Sequence, residues 1–242
     1  MDQFHHGHHV RLRNPVCGAY LHADEDGHGV SLHGRRDSMN VTWAVHLVEG
    51  NLHLHSAAYG RYLASSTTAR GAARPPRHFN GGFLRANGRY FPWINGASVE
   101  YISDIHHAST MMHWVVEHVP ARDTMPPLPP PPTGLTFMTP SRVITYSWRS
   151  FHRDLLVNGS IVFRGRSVFR LREELARRLA VGELAPANLG TDDVVMCLPT
   201  RDRRLFPLLV DLPKSRRIFH IAIAITDTPA HAALRFADVD AE

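Results

Sequence analysis

Cysteine is nearly missing from this chain of 242 residues. Cys17 and Cys197 stand far apart among apolar and turn residues, so neither a disulfide framework nor a four-thiolate zinc site can be assembled. The expected compartment is reducing. Long apolar runs are missing too: no window reaches the roughly 18 to 20 apolar residues of a bilayer span, and the opening residues MDQFHHGHHVRLRN lack the apolar centre of a signal peptide. The expectation is a soluble, cytoplasmic protein, in which the Asn-x-Ser/Thr triplets at Asn40 and Asn158 carry no consequence. Lysine is reduced to Lys214, so the net charge of +5 is carried almost wholly by arginine. Such a surface attracts polyanions in a salt-dependent way. Its clusters, RLR, GRRD, RDRR and KSRR, lie in no nucleic-acid motif and read as solvated faces and turns, which leaves nucleic acid as a non-specific partner only.

The signatures of catalysis are also missing. The chain has no GxSxG, no phosphate-binding P-loop, no GxGxxG and no HExxH, and Cys197 lies in an apolar strand where a thiol is inert. No catalytic, cofactor-binding or metal-binding residue is assigned, no cofactor is expected, and the binding residues stay unknown. The acids of ADEDGHG are the nearest approach to a metal site. Counted from Asp24, an EF-hand loop has its glycine in place at Gly29, but the fifth position is His28 and the twelfth is Arg35. Asp24 to Gly29 therefore reads as a hairpin tip with its acids facing water.

What the chain does have is 43% apolar residues, 20% charged residues and 18 histidines. His5, His6, His8 and His9 read as a polar arm on a flexible terminus, and His53, His55, His106 and His107 as surface residues. Before residue 123 the pattern is that of short strands. Val10 and Leu12 alternate with Arg11 and Arg13, and Leu52 and Leu54 with His53 and His55, the period of a strand with one buried face. Each unit then brings an aromatic-leucine pair: Tyr20-Leu21, Tyr62-Leu63 and Phe83-Leu84. In the first and third units a later strand carries a tryptophan, Trp43 or Trp114. Three copies of a four-strand unit imply a β-trefoil, because each copy leaves an apolar face that its neighbours must cover. The second copy is short: Tyr62 follows Tyr20 by 42 positions, but Phe83 follows Tyr62 by 21. The stretch TTARGAARPPRHFNG fills the gap as loop, so the trefoil either has an exposed edge or is closed by other segments.

MPPLPPPPTG then predicts an extended spacer, and three parts follow: a trefoil over 1–122, a Pro-rich linker over 123–134 and an α+β domain over 135–242. In the last part SRVITYSW reads as a strand, LLVNGSIVF as a hairpin turning at Asn158-Gly159, and SVFRLREELARRLAVG as one main helix. Ser167 caps that helix, Val168, Leu171, Leu175 and Leu179 form its apolar stripe, Glu174 pairs with Arg178, and Gly182 ends it. VVMCLP (194–199), PLLVDLP (207–213) and IFHIAIAIT (218–226) read as further strands, and the tail HAALRFADVDAE as peripheral. Strands, one long helix and more strands on a single sheet predict a β-grasp-like fold.

The elements VRLRN with YLHADEDG, SAAYGRYLASS, FLRANGRYFPWING, GRSVFRLREELARRL, LFPLLVDLP and TPAHAALRFADVD resemble a plant family. Its members join a fascin-like (actin-cross-linking-like) β-trefoil domain of unknown function to a C-terminal ubiquitin-like α+β domain. The resemblance spans nearly the whole chain. It departs where FPWINGASVE (Phe91 to Glu100) replaces a segment like PPWRNSVTHD and where the second unit lacks its tryptophan. The resemblance implies a mainly β, two-domain, non-enzymatic binding or scaffold protein with filamentous actin, or another protein, as partner. The alternative is a carbohydrate- or protein-binding trefoil with a C-terminal interaction module, which would leave Trp93 facing solvent to stack on a sugar.

Overall fold

The computed structural model describes residues 4–48, 51–63, 82–87, 95–101, 109–133, 141–149, 156–181, 189–200, 204–215 and 218–241. Trp93, His106, His107, Gly182 and the gap-filling stretch 67–81 lie outside the described residues.

The N-terminal half contains β1 (His9–Asn14), β2 (Ala19–Ala23), β3 (Val30–His33), β4 (Trp43–Val48), β5 (Asn51–Ser56), β6 (Gly82–Ala86), β7 (Ala97–Tyr101), β8 (Val115–Val119) and β9 (Ala121–Arg122). The first five form one antiparallel sheet in the order β3-β2-β1-β4-β5, and β8 also pairs with β1. β6 and β7 form a hairpin of their own. It meets β3 through a bridge between Ser31 and Gly96 and through the Leu32 N–H, which donates to Asn95 O. Val10, Leu12, Leu21, Trp43, Val45 and Leu54 fill the core.

The aromatic-leucine units are tied by one repeated device. Trp43 Nε1–H donates to Leu21 O at 3.0 Å, and Trp114 Nε1–H donates to Leu84 O at 2.9 Å. In both units a serine five positions before the tryptophan caps a single 3-10 turn. Ser38 accepts from Asn40 N–H ahead of Met39–Val41, and Ser109 from Met111 N–H ahead of Thr110–Met112.

The expected one-faced alternation fails on β1. Arg11 is fully buried, because β1 is a central strand paired by β2, β4 and β8 whose residues are buried on both faces. Its Nη2 donates to Val239 O at 2.7 Å. On β5, His55 is likewise buried rather than on the surface. The histidine arm is partly folded as well: Gly7 N–H donates to Val45 O, Val45 N–H donates to His8 O, and buried His9 pairs with both Ala44 and Val119.

The C-terminal half contains β10 (Ser141–Arg149), β11 (Leu156–Arg164), α1 (Val168–Ala180), β12 (Val194–Pro199), β13 (Leu205–Pro207), β14 (Phe219–Ile225), α2 (Pro229–Ala232) and β15 (Phe236–Ala237). The sheet order is β11-β10-β14-β12-β13, with β10 and β14 parallel, and α1 lays its stripe on the core. Ser167 caps α1 as expected, accepting from Arg170 N–H. Val168, Leu171, Leu175 and Leu179 are all buried, and Glu174 accepts from Arg178 at 2.7 Å.

Three expectations are corrected in this half. Asn158-Gly159 is no turn, since β11 runs straight through it with Gly159 opposite Tyr146. A Cβ there would collide with the Tyr146 ring, so the glycine makes room for an aromatic side chain. In 207–213 only the first residue is strand, in β13; the rest runs without strand pairing and buries Leu208, Leu209 and Leu212. Finally, the tail is not peripheral. β15 pairs with β9 of the first half, and Leu234, Phe236 and Ala237 are buried.

The proline stretch 125–133 forms no regular element, and its Leu128 packs against cores of the second half. The β2–β3 hairpin also touches that half. Glu25, exposed at the hairpin tip as expected, also pairs with Arg166 at 3.2 Å and Lys214 at 3.1 Å. These cations hold its carboxyl below the usual range, the Lys214 hydrogen bond foremost. Gly27, at φ +74, lies against Pro213 with no room for a Cβ.

Candidate functional site

Where the halves meet, the chain leaves a groove of about 450 Å³. One wall comes from the N-terminal segment. Gly7 turns at φ +82, a backbone state that glycine reaches without steric cost, and delivers His9 to the start of β1. The other wall comes from the second half: Arg204, Leu205 and Phe206 around β13, then Ala230, Ala233, Leu234 and Arg235 around α2. Both segments are fixed locally. Thr200 N–H donates to Arg204 O at 2.9 Å, tying the start of β13 to the end of β12. Thr228 caps α2 by accepting from His231 N–H, with Pro229 at the first helical position, where its missing N–H costs nothing.

Phe206 anchors the groove from behind. Its ring centroid is 4.2 Å from that of His55 and 5.1 Å from that of His46. These two histidines stack on each other at 5.3 Å. His46 Nδ1 shares a hydrogen bond of 2.7 Å with the Tyr62 hydroxyl. The second unit's aromatic residue thus sits beside the junction, on His55, which sequence reading left on the surface.

His9 is the groove's titratable side chain. Burial pushes its pKa down to about 4, with His46 and His8 adding to the effect. At neutral pH it is therefore an uncharged imidazole with one donor and one acceptor nitrogen. Arg204 and Arg235 add two cationic residues to the lining. The lining is otherwise apolar, so the groove combines an apolar floor, two fixed positive charges and one neutral polar ring.

A second depression, of about 210 Å³, lies between the β2–β3 hairpin and the C-terminal half, lined in part by Glu25, Asn40, Tyr59, Arg166 and Asp211. Its polar groups serve structure. Asn40 donates to Ala23 O, Asp211 accepts from Val168 N–H, and Glu25 carries the ion pairs described above.

The other residues singled out from the sequence go elsewhere. Asp26 accepts from His28 N–H and Gly29 N–H, both at 2.7 Å, and closes the expected hairpin tip. Asp24 accepts from the Ser31 hydroxyl. His5 and His8 stand near His118, with ring centroids 6.2 and 5.5 Å away. Among the described residues no group of three or more His, Cys, Asp or Glu is arranged to hold a metal ion. Cys197 is buried, and desolvation pushes its thiol up to about 12. Among the described residues no helix is long and apolar enough to cross a membrane. Arg204, Phe206 and Arg235 escaped sequence reading because Arg204 falls in a cluster that reads as a turn, Phe206 just ahead of the strand expected over 207–213, and Arg235 in a tail that reads as peripheral.

Comparison with known proteins fits this architecture. Residues 1–70 match the model of a β-trefoil domain of unknown function (DUF569), and residues 141–224 match that of the DUF569-associated ubiquitin-like domain. No curated protein matches the chain. Among solved structures, a ricin B-like lectin of Macrolepiota procera in complex with lactose is similar at 17% identity, over 47% of this chain and 96% of that one. Its TM-score of 0.37 is too low for the likeness to say anything about what this chain binds. The chain thus carries a DUF569 β-trefoil domain at its N-terminus and a DUF569-associated ubiquitin-like domain C-terminal to it.

Proposed function

We propose that this is a non-enzymatic binding protein of the cytoplasm, in which trefoil and ubiquitin-like domain act as one recognition body and the junction groove takes the ligand. The observation that carries the reading is the groove itself, lined from both halves by Gly7 and His9 on one side and Arg204 to Phe206 and Ala230 to Arg235 on the other. A non-catalytic role is supported by the ionisable groups present. Arginine does not exchange protons at working pH, and a histidine titrating near 4 is far from the range in which general acid–base catalysis is efficient. Concave, mostly apolar sites with a few placed polar groups are the usual form of ligand pockets.

The test compares the intact protein with Ala233→Trp, which fills the groove from an exposed position. Filamentous actin, the partner implied by resemblance to fascin-like trefoils, is presented in co-sedimentation at low and raised salt. A glycan panel is presented beside it for the carbohydrate alternative. Saturable, salt-resistant binding that Ala233→Trp abolishes supports the reading. Binding that Ala233→Trp leaves intact places recognition elsewhere on the molecule and ends the assignment to the groove.

A further inference from the structure

We propose that the groove is a site for a small neutral apolar molecule carrying a hydroxyl, an alcohol or a phenol, with His9 as its one polar anchor. This deepens the binding-protein reading and rests on it. His9 is 5% exposed, and among the described residues no group hydrogen-bonds its ring. Neither ring nitrogen is among the buried polar atoms shut off from both partner and solvent, so the small open part of the residue includes them. The opening that His9 lines is the groove. Without a ligand, water is what satisfies them there.

The chemistry of the ligand follows from this anchor and its surroundings. The volume of about 450 Å³ falls within the roughly 300 to 1,000 Å³ typical of small-molecule sites. Leu205, Phe206, Ala230, Ala233 and Leu234 make the apolar lining on which a hydrocarbon body is buried. Such a body displaces the water at His9, so it must bring a group that replaces the lost hydrogen bond or leave a buried imidazole unsatisfied. Burial also keeps the ring uncharged at neutral pH, its pKa being pushed down to about 4. A neutral anchor gives a carboxylate or an ammonium no counter-charge, and desolvating either against apolar side chains is costly. A hydroxyl carries no such charge. It donates to the bare nitrogen or accepts from the protonated one, and so fits His9 in either tautomer, where a carbonyl only accepts.

The probe is para-ethylphenol, titrated into the full-length protein at neutral pH and followed by histidine-selective NMR. The comparison ligands are ethylbenzene, which lacks the hydroxyl, para-ethylbenzylamine, and para-ethylbenzoate, which tests whether the arginines of the lining draw an anion instead. The phenol is expected to bind at one site, to shift the His9 ring resonances, and to bind about tenfold tighter than ethylbenzene, the order of one hydrogen bond to an otherwise unsatisfied group. His9→Leu is expected to remove that difference by weakening the phenol alone. Ala233→Trp, at an exposed position, is expected to abolish binding of both. The shift of the His9 resonances is read on the unaltered protein and does not depend on any variant folding.

Equal affinity for the phenol and ethylbenzene overturns the proposal, as does phenol binding that leaves the His9 resonances unmoved or that Ala233→Trp does not disturb. Tighter binding of the benzoate or of the amine hands the groove to charged ligands and overturns the neutral assignment. No binding of the phenol, with Ala233→Trp still abolishing binding of actin or a glycan, overturns the ligand class and leaves the binding-protein reading intact. No binding of the phenol, with actin or glycan binding untouched by Ala233→Trp, overturns both.

Discussion

The indole N–H of Trp43 reaches across 3.0 Å to the carbonyl of Leu21, joining the tryptophan of the first unit to its aromatic-leucine pair. Trp43 is 1% exposed, so Trp43→Phe leaves both a void and a carbonyl without its partner. The expected loss is about 2 to 4 kcal/mol of unfolding free energy, measured by urea denaturation. Trp114→Phe breaks the equivalent bond to Leu84 O in a part-buried setting and should cost less. Equal costs would mean that the two units do not differ in how they bury this bond.

Arg142 is 4% exposed, and its Nε, Nη1 and Nη2 make no hydrogen bond. Burial, then the nearby charge of Arg166, lowers its pKa. A buried charge without a partner costs more than an apolar side chain of similar length. Arg142→Met is therefore expected to raise stability, by about 1 to 4 kcal/mol, seen as a higher denaturation midpoint with an unchanged m-value. A lower midpoint would show that the arginine contributes to folding after all.

Acid sensitivity should trace to His9. Its pKa falls from 6.5 to about 4 on folding, so between these values the unfolded chain binds the proton and the folded one does not. Stability is fully present above pH 6.5 and declines as pH drops toward 4, by up to roughly 3 kcal/mol. His9→Gln should flatten that part of the stability profile, whatever it does to stability at pH 7. An unchanged slope in the variant assigns the effect to another group.

Gly159→Ala places a methyl group where the Tyr146 ring lies. A loss of about 1 to 3 kcal/mol is expected from the forced displacement. In a Tyr146→Ala background the same change should cost much less, because the obstacle is gone. Additive costs in the double-mutant cycle would show that the two positions are uncoupled.

Removing residues 234–242 deletes Val239, whose carbonyl accepts from the fully buried Arg11. The truncation is expected to destabilise the protein by at least about 3 kcal/mol, the order for an orphaned buried charge. Arg11→Met should recover part of that loss in the truncated chain. No recovery would mean that the lost packing of Leu234 and Phe236 accounts for all of it.

Periodicity told where elements begin and which class they belong to, and it served best where one face meets a core. The α1 stripe and its Ser167 cap are visible in sequence because a helix on a sheet has one buried side. β1 hid its nature because it is central: an arginine in alternation signals solvent unless a carbonyl from the far end of the chain, here Val239, comes to meet it. Asn158-Gly159 misled because the same glycine that permits a tight turn also permits an aromatic ring to lie across a strand. The groove was the least legible part. Gly7, His9, Arg204, Phe206 and Arg235 share no local spacing, and only the docking of the two halves brings them together.

The pairing of Phe236 with Arg122 and of Ala237 with Ala121 sets the order in which the molecule can be completed. β9 is in place when the first domain ends, yet its partner is made only after the whole second domain has followed. Pairing so distant in sequence carries a large loop-closure entropy and comes late in folding. During synthesis the first domain waits with the edge of β9 open and Arg11 without its Val239 acceptor until β15 and the residues after it have emerged. In the finished protein the same pairing ties the halves together, so a protease that cuts ahead of β15 removes a strand partner from the first domain and buried Leu234 and Phe236 from the second at once.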